Sequence, residues 1–220
     1  MGVIPQLTTT GDTYVNDCLQ FFEEIEEKRQ WPDVPGAKGA VDAGNAVIEA
    51  DSINETKALE ALRLADELRK KYPDFYFPYL WLANILRRKA QYDAARNALT
   101  EGLRLSRNKN SLCRALGQTE YEAGNLPAAV MWWIRCILTQ IHDKTANQKD
   151  YAAAQDLSYV AAELGLTEAS EHLLHLANRL GGSGIRLTAG AAGKLNDAIR
   201  KQGTKSMKMA IEQLDKECLS

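Results

Sequence analysis

Cysteine is scarce in this chain, and its four residues, at 18, 113, 136 and 218, are scattered. None falls in a CxxC pair or at zinc-like spacing, so neither a disulfide framework nor a zinc module is expected. No stretch of apolar residues is long enough to span a bilayer. The start, MGVIPQLTTTG, has no basic segment, no signal-length apolar run and no small-residue cleavage site. It also fails the myristoylation pattern at Gln6. A formal net charge of −2 argues against a surface given over to nucleic acid or anionic membrane. The expected compartment is the cytoplasm, with no membrane insertion.

Catalytic patterns are missing as well. There is no GxSxG, no HExxH and no cysteine with a matched histidine, so the reading is non-enzymatic, with no cofactor and no metal. GGSGIRLTAGAAGKL only looks like a phosphate loop: Thr188 stands where its first Gly belongs and Leu195 where its hydroxyl belongs. His172 and His175 have helical spacing for a metal, but no third ligand goes with them, and both fall off the stripe Ala169, Leu173, Leu176, Ala177 and Leu180.

What is present is helical periodicity almost throughout. After a polar start, Asp12 caps a predicted helix from about Thr13 to Gln30. Its apolar stripe is Tyr14, Cys18, Phe21, Phe22 and Ile25, and WPDVPG ends it at Trp31 to Gly36. A weaker helical stretch covers about Ala40 to Asp51, and a stronger one runs from Thr56 and stops before Pro73. Beyond that the chain repeats. Residues 76–109 slide by 34 positions onto 110–143. Leu82-Ala83 then meets Leu116-Gly117, Ala90 meets Gly124, Ala95 meets Ala129, Leu99 meets Trp133, and Gly102-Leu103 meets Cys136-Ile137. A fixed period of this length marks stacked helical hairpins. The pair Trp132-Trp133 therefore reads as packing, with Trp133 in the seam and Trp132 turned about 100° from it.

This spacing of small and large residues resembles the tetratricopeptide repeat family. The clear copies are 76–109 and 110–143. Degenerate ones cover about 42–75 and 151–180, the latter expected to be one residue short in its turn because Ala169 follows Gly165 by four rather than five. The resemblance implies an all-α fold, a right-handed superhelical α-solenoid of antiparallel hairpins over 36–180. Capping helices are expected within 1–35 and, after the GGSG break, within 181–220, the latter at about Thr188 to Gln202 and Lys205 to Cys218.

The resemblance also implies a partner peptide or protein in a concave groove lined by the first helix of each hairpin. Carried onto this sequence, that lining is Phe77, Leu80, Asn84, Arg87 and Arg88, then Arg114, Gln118, Tyr121 and Glu122, then Gln155, Tyr159 and Glu163. Residues 76–109 hold seven Lys/Arg against two Asp/Glu, a net of 7 − 2 = +5, so an acidic or C-terminal peptide is one expected ligand and a solvated basic face the alternative. The Hsp70/Hsp90 carboxylate tail is not expected: of the family's clamp positions only Asn84 matches, and Leu80, Ala115, Ala152 and Asp156 depart from it. The competing reading is a self-assembling scaffold, a homo-oligomer joined through exposed end helices.

Overall fold

The computed structural model describes residues 55–106, 109–142, 151–181 and 189–220. These hold nine α-helices and no strand, so the protein is all-α over the described residues. The helices expected at Thr13 to Gln30 and Ala40 to Asp51, and the GGSG break after Gly181, lie outside them. The chain divides into two compact units, whose described parts fall within residues 55–123 and 124–220.

The first unit has four helices: α1 (Glu55–Lys71), α2 (Phe77–Arg88), α3 (Tyr92–Leu105) and α4 (Asn110–Glu122). Helix α1 ends in Arg69, Lys70 and Lys71, cations that complement the negative end of its dipole, and Pro73 follows two residues on. Its small residues let α2 approach: Ala61 packs on Ile85, and Ala65 packs on Trp81. Pro78 sits in the first turn of α2, where its missing N–H costs nothing. Each helix packs on the next, and α2 also touches α4.

The closest of these approaches is at Gly102. A Cβ placed there would lie 2.8 Å from both Cβ and Cγ of Tyr79 and 3.2 Å from Cδ1 of Leu112. Helix α3 therefore rests its bare backbone on α2 and touches α4 at the same level. Tyr79 is fully buried, and its hydroxyl donates to the Pro73 carbonyl at 2.9 Å, which fastens the α1–α2 connection to the same contact.

The turns repeat one geometry. Ala90, Gly124 and Gly165 have φ of 56°, 83° and 78°, and the following helix starts two residues later each time, at Tyr92, Leu126 and Thr167. At Ala90 the N–H donates to Arg87 and that of Gln91 reaches back to Leu86, both at 2.9 Å. At Gly165 the matching bonds run to Ala162 (3.0 Å) and from Leu166 to Ala161 (2.9 Å). These are paired helix-terminating bonds around one left-handed residue. The turn after Gly165 is thus of full length, correcting the expectation that it is a residue short. What shifts is the buried face of the next helix.

The second unit contains α5 (Leu126–His142), α6 (Ala152–Glu163), α7 (Thr167–Arg179), α8 (Ala189–Lys201) and α9 (Lys205–Leu214), followed by a π-helical turn, Asp215–Leu219. Helix α7 buries Ala169, Leu173, Leu176 and Ala177, one residue earlier than the frame of α3, which buries Ala95, Leu99, Gly102 and Leu103. Leu174, which aligns with Leu99, is consequently 45% exposed. Ser170 takes the place of Ala95 at the α6 contact, and its hydroxyl donates to the Ser158 carbonyl at 2.8 Å. In α5 both tryptophans are buried, and the Arg135 guanidinium, also buried, stacks 4.4 Å from the Trp132 ring centroid. The C-terminal helices fold back over the unit: α8 packs on α6, α9 packs on α5, and the π-helical turn packs on α7.

Gly102→Ala should therefore destabilise the protein by about 1–3 kcal/mol through overpacking, although alanine is the better helix former. Ala90→Gly should stabilise it by up to about 1 kcal/mol by relieving the left-handed strain. Urea denaturation midpoints check both. A Gly102→Ala midpoint at or above wild type would contradict the contact.

Candidate functional site

Helices α2 and α4 lie side by side, and their facing polar residues form one network. Arg87 Nη1 donates to Glu122 Oε1, an ion pair between the two helices. Arg87 Nη2 reaches Asn84 Oδ1 at 3.4 Å, and Gln118 Nε2 donates to the same Glu122 oxygen at 2.9 Å. Four of the residues expected to line a groove are thus brought together. The Arg87 side chain is only 18% exposed, and its buried Nε makes no hydrogen bond. Burial pulls the Arg87 pKa down, the Glu122 carboxylate pulls it up, and the like charge of Arg114 lowers it again. Burial wins, so the net shift is downward, and the carboxylate neighbour compensates the guanidinium for its lost hydration.

The other expected residues of α2 and α4 fall into two groups. Leu80, Arg88, Arg114 and Tyr121 are half-buried on these same two helices. Phe77 belongs to a packed aromatic group instead: its ring meets Trp81 edge-on at 5.0 Å and stacks with Phe75 at 5.9 Å. It also rests against the buried Ala65–Trp81 pair, so it serves the α1–α2 contact.

Part of the positive charge of residues 76–109 is met by carboxylates beyond them, on α4. Besides Arg87 with Glu122, Arg96 forms a two-pronged pair with Glu120 of α4, at 2.6 Å and 3.1 Å. The Glu120 side chain is only 6% exposed, and Arg96 also holds Asp93 at 2.5 Å. Arg69 pairs with Asp66 on its own helix and ties α1 to α3 through Glu101, each at 2.7 Å. Glu120 was not among the expected residues. Only its place on the α4 face toward α3 shows its use.

In the second unit, Gln155, Tyr159 and Glu163 line one face of α6, and α8 covers part of it. The Tyr159 hydroxyl lies 3.3 Å from the Ala192 carbonyl. With its amide oriented to satisfy both neighbours, Asn196 donates to Glu163 at 2.8 Å and accepts from Tyr159 at 3.2 Å. Burial and the Glu163 carboxylate raise the Tyr159 pKa, keeping the phenol protonated and able to donate. Asn196 is a residue the sequence did not single out.

His172 does not stand as a solvated side chain. Its Nδ1 lies 2.7 Å from Asp215 Oδ1, joining α7 to the π-helical turn, while His175 is exposed. No group of three metal-ligating side chains occurs among the described residues, nor does any helix there have the length and apolarity to cross a membrane. Cys113 and Cys136 are buried free thiols. No family model, curated protein or solved structure matches the chain.

The hydrogen bond to Asp215 raises the His172 pKa above 6.5, with Glu168 and Glu171 acting in the same direction. A raised folded-state pKa contributes stability that is complete below the unfolded value and is lost as pH rises through the folded one. The thermal midpoint difference between wild type and His172→Gln should accordingly be largest below pH 6.5 and shrink as the solution becomes alkaline. A difference independent of pH would contradict the pairing.

Proposed function

We propose that this chain is a non-enzymatic, cytoplasmic protein-binding module of tetratricopeptide type, a right-handed α-solenoid that receives a segment of a partner protein on the first helices of its hairpins. The observation that carries this reading is the side-by-side placement of α2 and α4, the first helices of consecutive 34-residue copies. Their polar side chains are already cross-linked through Arg87 and Glu122. A face organised in this way before binding costs a ligand less side-chain ordering.

The same pairing refines the kind of ligand. An acidic peptide would have to compete with Glu122 for Arg87, and breaking a half-buried pair leaves a carboxylate without its cation. The better fit is a segment that uses the face as it stands. It would bring apolar contacts to Leu80 and Tyr121 and amide hydrogen bonds to Gln118.

Affinity purification from the source cell, with wild type and a Gln118→Ala/Tyr121→Ala variant as baits, tests the proposal. The variant should keep its helical circular dichroism and bind the recovered partner at least about tenfold more weakly, a loss of about 1.4 kcal/mol. Equal recovery by the two baits would remove the α2–α4 face from the account.

A further inference from the structure

The α6 face is already occupied by a helix. Asn196, near the middle of α8, satisfies Tyr159 and Glu163 together through one carboxamide, while the Tyr159 hydroxyl also approaches the Ala192 carbonyl. Leu195 and Ile199 of α8 are buried, and Lys194, Asp197, Arg200 and Lys201 are exposed, so α8 is amphipathic with its amide set close to its apolar stripe. At its end Gln202 donates to the Gly124 carbonyl.

The fit is nevertheless incomplete. One turn before Tyr159, the buried Nε2 of Gln155 makes no hydrogen bond among the described residues. The sequence of α8 opens AGAAG, with glycines at 190 and 193. Glycine in that stretch also weakens the helix itself. The occupant thus makes a specific polar contact at its centre and leaves the Gln155 amide unsatisfied.

We infer that the Gln155–Tyr159–Glu163 face is a binding surface for an amphipathic helix carrying a carboxamide beside its apolar stripe, and that α8 is its resident, displaceable occupant. A partner helix of the same chemistry replaces α8 by offering its own amide to Tyr159 and Glu163. One that adds an acceptor within reach of Gln155 gains a hydrogen bond that α8 lacks. Affinity for such a helix is reduced by the fraction of molecules in which α8 is seated. The inference rests on the proposed protein-binding role only for the existence of an outside partner.

The probe is a fluorescent peptide of residues 186–203, titrated by anisotropy into the full chain and into its Asn196→Asp variant. The aspartate would set a second carboxylate against Glu163 and release α8 from its seat. The variant chain should bind the probe at least about tenfold more tightly than wild type, and a probe carrying the same substitution should lose that binding. Equal affinities for the two chains would overturn the inference. Hydrogen exchange on the wild-type chain decides the matter even if the variant fails to fold. Excess peptide should speed exchange of the 189–201 amides, and unchanged exchange would overturn the inference. Failure to recover an outside partner would leave the exchange result standing, whereas absent exchange would leave the α2–α4 reading untouched.

Discussion

The interaction on which the first unit's polar face depends is the ion pair between Arg87 of α2 and Glu122 of α4. A guanidinium this far from water is tolerable only with a carboxylate beside it. That requirement fixes which face of α4 meets α2. It also orders the neighbours, since Asn84 accepts from Arg87 and Gln118 donates to Glu122. Part of what looks in the sequence like a basic surface is therefore matched by carboxylates of α4 in the fold.

The pair can form because the backbones beneath it are close. Gly102 lets α3 settle against Tyr79 and Leu112 at once, and Tyr79 holds the Pro73 carbonyl. Arg69–Glu101 and Arg96–Glu120 then join α1 to α3 and α3 to α4 along the edges. Close packing sets the spacing of the helices, and the ion pairs select their rotation. The second unit works from the same parts with different chemistry: a Ser170–Ser158 bond at the small-residue contact, and a helix from the C-terminal region seated by an asparagine.

Much of this architecture was legible in the sequence because it follows from local rules. The 34-residue slide aligns Ala90 with Gly124, and both adopt the left-handed conformation that ends a helix. The small positions Ala83, Ala95 and Ala129 are buried, as are Leu99, Leu116 and Trp133. What the sequence does not show is mostly contact between distant residues. Arg87 finds its carboxylate 35 residues away and Arg96 finds one 24 away, partners that no helical period specifies. Phe77 sits on the polar face by alignment, yet an aromatic beside Trp81 gains more from packing. In α7 the spacing from Gly165 to Ala169 suggested a shortened turn, when the turn is intact and the buried stripe begins one residue earlier. The seating of α8 on α6 depends on one asparagine among many polar residues.

The central claim is that Arg87 and Glu122 act as a unit that joins α2 to α4. A double-mutant cycle of Arg87→Met, Glu122→Gln and the combined variant, read by urea denaturation, tests it most directly. The account predicts that each single change is costly and that the double variant is less destabilised than their sum, with a coupling energy of about 1–3 kcal/mol. Single-variant losses that add to the double-variant loss would contradict it.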